Sequence, residues 1–267
     1  MPVRCVAFCL GLLCLGCHAL GPLASDAAAD SAAQLWERGQ EAMRQGQTDQ
    51  AIEFYQRSLF VDPGLMRNYL SLAAAYMEQG DDEAACPHLT RYVNAHPDQV
   101  TLRVYLADLL LRLKRLPDAR DEFERCVAAA QKRDDTADAH LLHCHTRLME
   151  IAEESEDSYR EHLHRGIGLF VLAGQRAALA DPDGELPTEA LLCKAAGELT
   201  LAHLEKPDEA RPSWYLHEVW SRLAQRQPAR RCLRDAETAA AFSYLTPREQ
   251  NDLQLACQWR QSERPMK

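Results

Sequence analysis

Apolar residues recur in this chain at three- and four-residue intervals, not in alternation, from Leu35 to Trp259. That spacing places them on one face of a helix. Breaks fall at glycines and prolines, and the pattern between breaks repeats. Ala32–Leu65, Met66–Gln99 and Val100–Arg133 are each thirty-four residues long and align without gaps. Gly39, Ala73 and Ala107 are the small residues of a first helix, and Ala51, Ala85 and Ala119 those of a second. Small side chains at both places let the paired helices approach closely. Tyr55, Leu89 and Phe123 fill a large position four residues on, followed after four more by Leu59, Val93 and Val127. Gly46 and Gly80 suit a left-handed turn after the first helix, and Pro63 and Pro97 close the second.

This pattern resembles the tetratricopeptide repeat family, most closely in the first two blocks. The resemblance implies an all-α fold, a right-handed superhelical array of antiparallel helix pairs, with about twelve helices in the mature chain. One helix pair cannot bury its apolar face alone, so neighbours stack into a continuous core. The chain departs from the family at Arg38, a position usually apolar, which an end repeat exposes to solvent. It departs again at Lys114, which stands where glycine is expected and so predicts a distorted turn. The resemblance also implies a concave groove lined by the first helices. Its positions include Trp36, Gln40, Met43, Arg67, Met77, Tyr105, Asp108 and Arg112, with Leu70, Val104 and Leu111 either facing the groove or covered. The family's clamp for a chaperone's terminal carboxylate uses basic and Asn residues. Here those places hold Trp36, Gln40, Ser71, Thr101 and Tyr105, so that specificity is not expected.

Beyond residue 133 the helical period continues at a different length. Ala137–Glu153 and Ser158–Ala180 read as long amphipathic helices, with a turn cluster at 181–184. Further helices are predicted from Pro187 to about Leu204, from Pro207 to about Arg226, and from Gln227 to about Ala240. Thr246 and Glu249 form a capping-box start for a last helix to about Arg260. Gly197, Ala210 and Trp214 echo the small–small–large anchors with one extra residue between the first two. Residues 134–267 are therefore expected to be divergent helix pairs stacked on the array, either continuing it or forming a separate bundle.

At the N-terminus, Arg4 precedes an apolar run from Cys5 to Leu15, which is too short for a membrane span. Residues 1–21 read as a signal peptide and 22–31 as a polar tether. Cys14-Leu15-Gly16-Cys17 resembles a bacterial lipoprotein box with Cys17 as the lipidated residue; cleavage after Ala19 or Gly21 is the alternative. The expected location is the periplasm, with or without a lipid anchor, or outside the cell. The formal charge of −10 disfavours nucleic acid, and the local arginines at 226, 230, 231 and 234 read as a solvated helix face.

Chemistry is sparse. There is no phosphate loop, no GxSxG and no kinase signature, so no enzyme, cofactor or small-molecule substrate is expected. Six cysteines lie beyond the leader without a CxxC. Cys126 and Cys144 are the best-placed disulfide candidates, with a small buried thiol as the alternative role. His140, His143, Cys144 and His145, with His162 and His164 on the next helix, form the densest ligand cluster. A metal- or redox-linked accessory role for the His140/Cys144 cluster is therefore the alternative. The leading expectation is a non-catalytic envelope scaffold that binds other proteins or peptide segments.

Overall fold

The computed structural model describes residues 30–129, 135–178 and 187–262. The leader, Cys17 and the turn cluster at 181–184 lie outside these residues. Twelve helices run through the described residues. The first six are α1 (Ala32–Arg44), α2 (Thr48–Val61), α3 (Met66–Gln79), α4 (Asp82–Ala95), α5 (Val100–Arg112) and α6 (Leu116–Ala129). The remainder are α7 (Asp135–Glu154), α8 (Ser158–Ala178), α9 (Thr188–Glu205), α10 (Ala210–Arg222), α11 (Arg226–Ala239) and α12 (Pro247–Ser262). Each packs on its predecessor, and α1 touches α3, α5 touches α7, and α8 touches α10. The result is a right-handed superhelical array of antiparallel pairs. No described helix is long and apolar enough to cross a membrane.

Ser31 starts the array. Its hydroxyl accepts from the Gln34 backbone N–H while the Gln34 side chain accepts from the Ser31 backbone N–H. This reciprocal capping satisfies two of the donors that a helix N-terminus leaves open. Arg38 points outward and pairs with Asp30 at 2.7 Å. The close approach within the first pair is tight at Gly39, where an added Cβ would sit 2.3 Å from the Tyr55 ring. Tyr55, Leu89 and Phe123 are buried, as are the alanines four residues before each.

One turn geometry joins five of the pairs. Residues 46, 80, 114, 156 and 224 all have φ between 55° and 78°. In each turn that residue's N–H bonds back three residues and the next N–H bonds back five, as in Lys114 to Leu111 (3.0 Å) and Arg115 to Leu110 (2.9 Å). The expected distortion at Lys114 is therefore absent: the turn is kept, and a non-glycine residue takes the left-handed conformation. That conformation costs a side chain about 1–2 kcal/mol. Ala224→Gly is accordingly expected to raise stability by about 1 kcal/mol, read as a higher denaturation midpoint at unchanged slope. An unchanged or lowered midpoint would show that the turn carries no such strain.

The same register identifies a further repeat. Pro63, Pro97 and Pro207 are each followed after seventeen residues by the left-handed position, at Gly80, Lys114 and Ala224. After twenty-two come Ala85, Ala119 and Ala229, and after twenty-six Leu89, Phe123 and Leu233, all buried. So α10 and α11 form a pair in register with the first three. This corrects the anchors expected at Gly197, Ala210 and Trp214. Gly197 is exposed, with nothing near its Cβ direction, and α10 is a first helix. The close approach of α8 and α9 occurs at Gly166, where a Cβ would lie 2.7 Å from Leu199 Cγ and 3.2 Å from its backbone nitrogen.

Candidate functional site

The first-helix face is built by contacts between successive first helices. On α1, the Trp36 indole N–H donates to Ser71 Oγ of α3 at 2.9 Å, and Gln40 donates to the same oxygen at 3.1 Å and to Tyr55 Oη at 2.6 Å. The guanidinium of Arg67 lies 4.1 Å above the Trp36 ring. This stack holds an exposed cation over a half-buried aromatic. On α5, Thr101 meets His140 of α7 at 3.1 Å, and Asp108 takes His143 at 3.0 Å and Arg147 at 3.3 Å. Tyr105 lies between Thr101 and Asp108 on the same helix and is 56% exposed. Arg112 turns to Asp82 at 2.8 Å. Met43 and Met77 are half-buried against the core, and Leu70 and Leu111 pack on it too. Val104 is buried. This face leaves Arg67 exposed over the half-buried Trp36, and Tyr105 exposed on α5; the other polar positions are largely engaged within the array.

The histidine cluster does not converge. Positions 140, 143, 144 and 145 fan around α7, and each side chain meets a different neighbour. His140 meets Thr101, His143 meets Asp108, and His145 Nδ1 lies 3.1 Å from His164 Nδ1. His162 turns to Glu198 at 2.7 Å. Among the described residues no three His, Cys, Asp or Glu side chains gather around one point. Cys126 and Cys144 are both buried and face one another, and both are free thiols. The hydrogen bond to Cys144, and burial after it, push the Cys126 thiol upward in pKa, which keeps it protonated.

Three buried polar pairs were not visible in the helical pattern. Arg103 of α5 donates to Glu122 of α6 at 2.7 Å, with both side chains almost wholly enclosed. Arg211 of α10 donates to Glu249 of α12 at 2.9 Å, and Tyr215 Oη donates to the same carboxylate oxygen at 2.9 Å. His145 and His164 form the third. At 3.1 Å one Nδ1 must donate and the other accept, and burial keeps both rings neutral, in opposite tautomers. Burial, and secondarily Arg211, holds His145 down to about 3; burial, then His145 and Arg211, holds His164 well below its ordinary value.

With the helix pairs and their register in place, comparison with known proteins becomes specific. Two overlapping stretches, 36–99 and 70–134, match the tetratricopeptide repeat family model. Residues 36–134 are similar to tetratricopeptide repeats. Across 103 residues the chain is 26% identical to DnaJ homolog subfamily C member 3 of Rattus norvegicus. That match takes in 39% of this chain, which spans only about a fifth (20%) of the relative's length. Among solved structures, the MamA protein superposes with a TM-score of 0.39 at 16% identity, over 80% of this chain and 96% of its own. Yeast Tom70 does so with a TM-score of 0.38 at 15% identity, over 79% and 55%. The tetratricopeptide repeat is a fold that generally mediates protein–protein interaction, and scaffolds built on it are typically non-catalytic.

Proposed function

We propose that this chain is a non-catalytic scaffold of the cell envelope that holds a peptide or protein segment along its first-helix face. The observation that carries this reading is the pair of aromatic features left available on that face. One is Trp36 capped by the exposed Arg67, the other Tyr105, more than half exposed on α5. Tyr, Trp and Arg are the side chains enriched where proteins bind one another. The envelope assignment rests on residues 1–21 and on Cys17 as the acceptor of a lipid anchor; mass spectrometry of the mature N-terminus tests it, and an unmodified chain beginning at Met1 would end it.

The binding reading is tested by recovering partners from membranes with tagged wild-type chain and with the Trp36→Ala/Tyr105→Ala double variant. Truncating two such anchors is expected to weaken binding by at least about tenfold. Full partner recovery by the folded double variant would remove the first-helix face from the account.

A further inference from the structure

The joint between the third repeat and the second half of the chain carries a pair of thiols. Cys126 lies late in α6 and Cys144 in the middle of α7, and both are almost wholly enclosed, at 2% and 1% exposure. Their side chains hydrogen-bond to one another. The register explains the meeting. Cys126 occupies the position that Ser58 holds in the first block, and Ser58 ties α2 to α3 by accepting from Asn68 Nδ2 at 2.6 Å. The third block makes the corresponding link, from its second helix to the next helix, with sulfur in place of oxygen. The other cysteines of the body have different neighbours. Cys86 accepts from Arg115 at 3.6 Å, Cys257 meets Glu237, Cys232 lies beside Asp235 and Arg231, and Cys193 is exposed on α9.

We infer that Cys126 and Cys144 are a disulfide pair, closed while the chain folds, that bolts α7 to α6. The oxidant is an external disulfide, carried by a small thiol or by a thiol oxidoreductase. One cysteine attacks it as the thiolate, expels one thiol and forms a mixed disulfide. The second cysteine attacks the protein sulfur of that mixed disulfide and expels the other thiol. The thiol protons end on the leaving groups, and the electron pair passes from the cysteines to the external disulfide. Timing follows from burial. Attack needs a thiolate, and in the folded chain the Cys126 thiol is enclosed and held protonated. Closure therefore belongs to the folding chain, before α7 seals against α6. The bond bears on the first-helix face. His140, His143 and Arg147 of α7 hold Thr101 and Asp108, on either side of Tyr105, and a bond at Cys144 fixes the helix that brings them there. This inference goes beyond the scaffold reading and does not depend on where the chain resides.

The test uses the full chain with Cys5, Cys9, Cys14 and Cys17 replaced by serine, so that only the six body cysteines report. The chain is reduced in denaturant and refolded in reduced and oxidised glutathione until its helical circular dichroism is restored. It is then blocked with N-ethylmaleimide and digested without reductant. The expected product is one linked species joining the Cys126 and Cys144 peptides, lighter than their sum by the pair of hydrogens lost, with Cys86, Cys193, Cys232 and Cys257 alkylated. The bonded chain is expected to unfold at a higher denaturant midpoint than the same chain after reduction, because the bond limits the freedom of the unfolded state. The Cys126→Ala/Cys144→Ala variant is expected to show one midpoint under both conditions. Chain that is folded before glutathione is added is expected to form the bond at least about tenfold more slowly. Alkylation of all six body cysteines after refolding, a main linkage to any other cysteine, or a midpoint no higher in the bonded chain would overturn the pair. Equal rates from folded and unfolded chain would overturn closure during folding. None of these outcomes touches the Trp36/Tyr105 result, so the two readings fail separately.

Discussion

Glu249→Ala is expected to lower the unfolding free energy by about 3–5 kcal/mol, the cost of leaving a buried charge without its partner. Three jobs meet in this carboxylate. Its Oε2 accepts the Thr246 backbone N–H at 2.8 Å and so closes the first turn of α12; the Glu249 N–H returns a bond to Thr246 Oγ1 at 3.3 Å. Its Oε1 takes both Arg211 and Tyr215 of α10. Removing it uncaps α12, strips the counter-charge from an enclosed arginine and unpartners a tyrosine hydroxyl at once. Arg211→Met together with Glu249→Leu is expected to recover much of the loss, because an apolar pair of similar volume needs no desolvation of charge. Denaturant unfolding of the two variants beside wild type measures both effects. A loss below about 1 kcal/mol in Glu249→Ala would place this pair among surface contacts and contradict the observed burial.

Acid is expected to loosen the joint between α7 and α8. His145 and His164 are neutral in the folded chain, and an unfolded histidine titrates near 6.5. Above that pH neither state binds the protons, so the pair adds no pH dependence. Below it the unfolded chain takes up protons that the folded chain refuses, and stability falls as pH falls. For His145, whose folded value is about 3, the window runs from about 6.5 down to about 3. At pH 5 the cost is about 2 kcal/mol for His145, and His164 adds to it in the same direction. A variant carrying Leu at both positions is expected to lose that much less between pH 7 and pH 5. Parallel pH profiles for the two proteins would mean that the rings protonate without disturbing the fold.

The fold was legible where one side chain per position carries the signal. Thirty-four-residue spacing of small and large residues gave the first three pairs, and the Thr246–Glu249 capping box marked the start of α12. The pair α10–α11 keeps the same spacing from Pro207, but its markers are disguised. Alanine, not glycine, holds the left-handed turn at 224. His217 stands where Ala73 and Ala107 stand, and fits because its Nδ1 is 3.0 Å from the Ala229 carbonyl oxygen. A search anchored on glycine passes over it, whereas one anchored on the proline and the buried alanine–leucine pair finds it.

The site was less legible than the fold, for a physical reason. A charged residue on a helix reads as solvent-facing, and Arg103, Glu122, Arg211 and Glu249 do not betray that they pair across helices. Sequence proximity misled in the opposite direction for His140 to His145. Adjacent positions on a helix point apart, so a dense run on α7 reaches four different neighbours.

The central claim is that a partner lies along the first helices. Photo-crosslinking tests it most directly. A photoreactive amino acid is placed at Tyr105 on α5 and, in separate chains, at Glu53 on α2 and Asp121 on α6, both exposed on second helices. The account predicts a discrete crosslinked partner from position 105 and none from positions 53 or 121. Capture from 53 or 121 with none from 105 would contradict it.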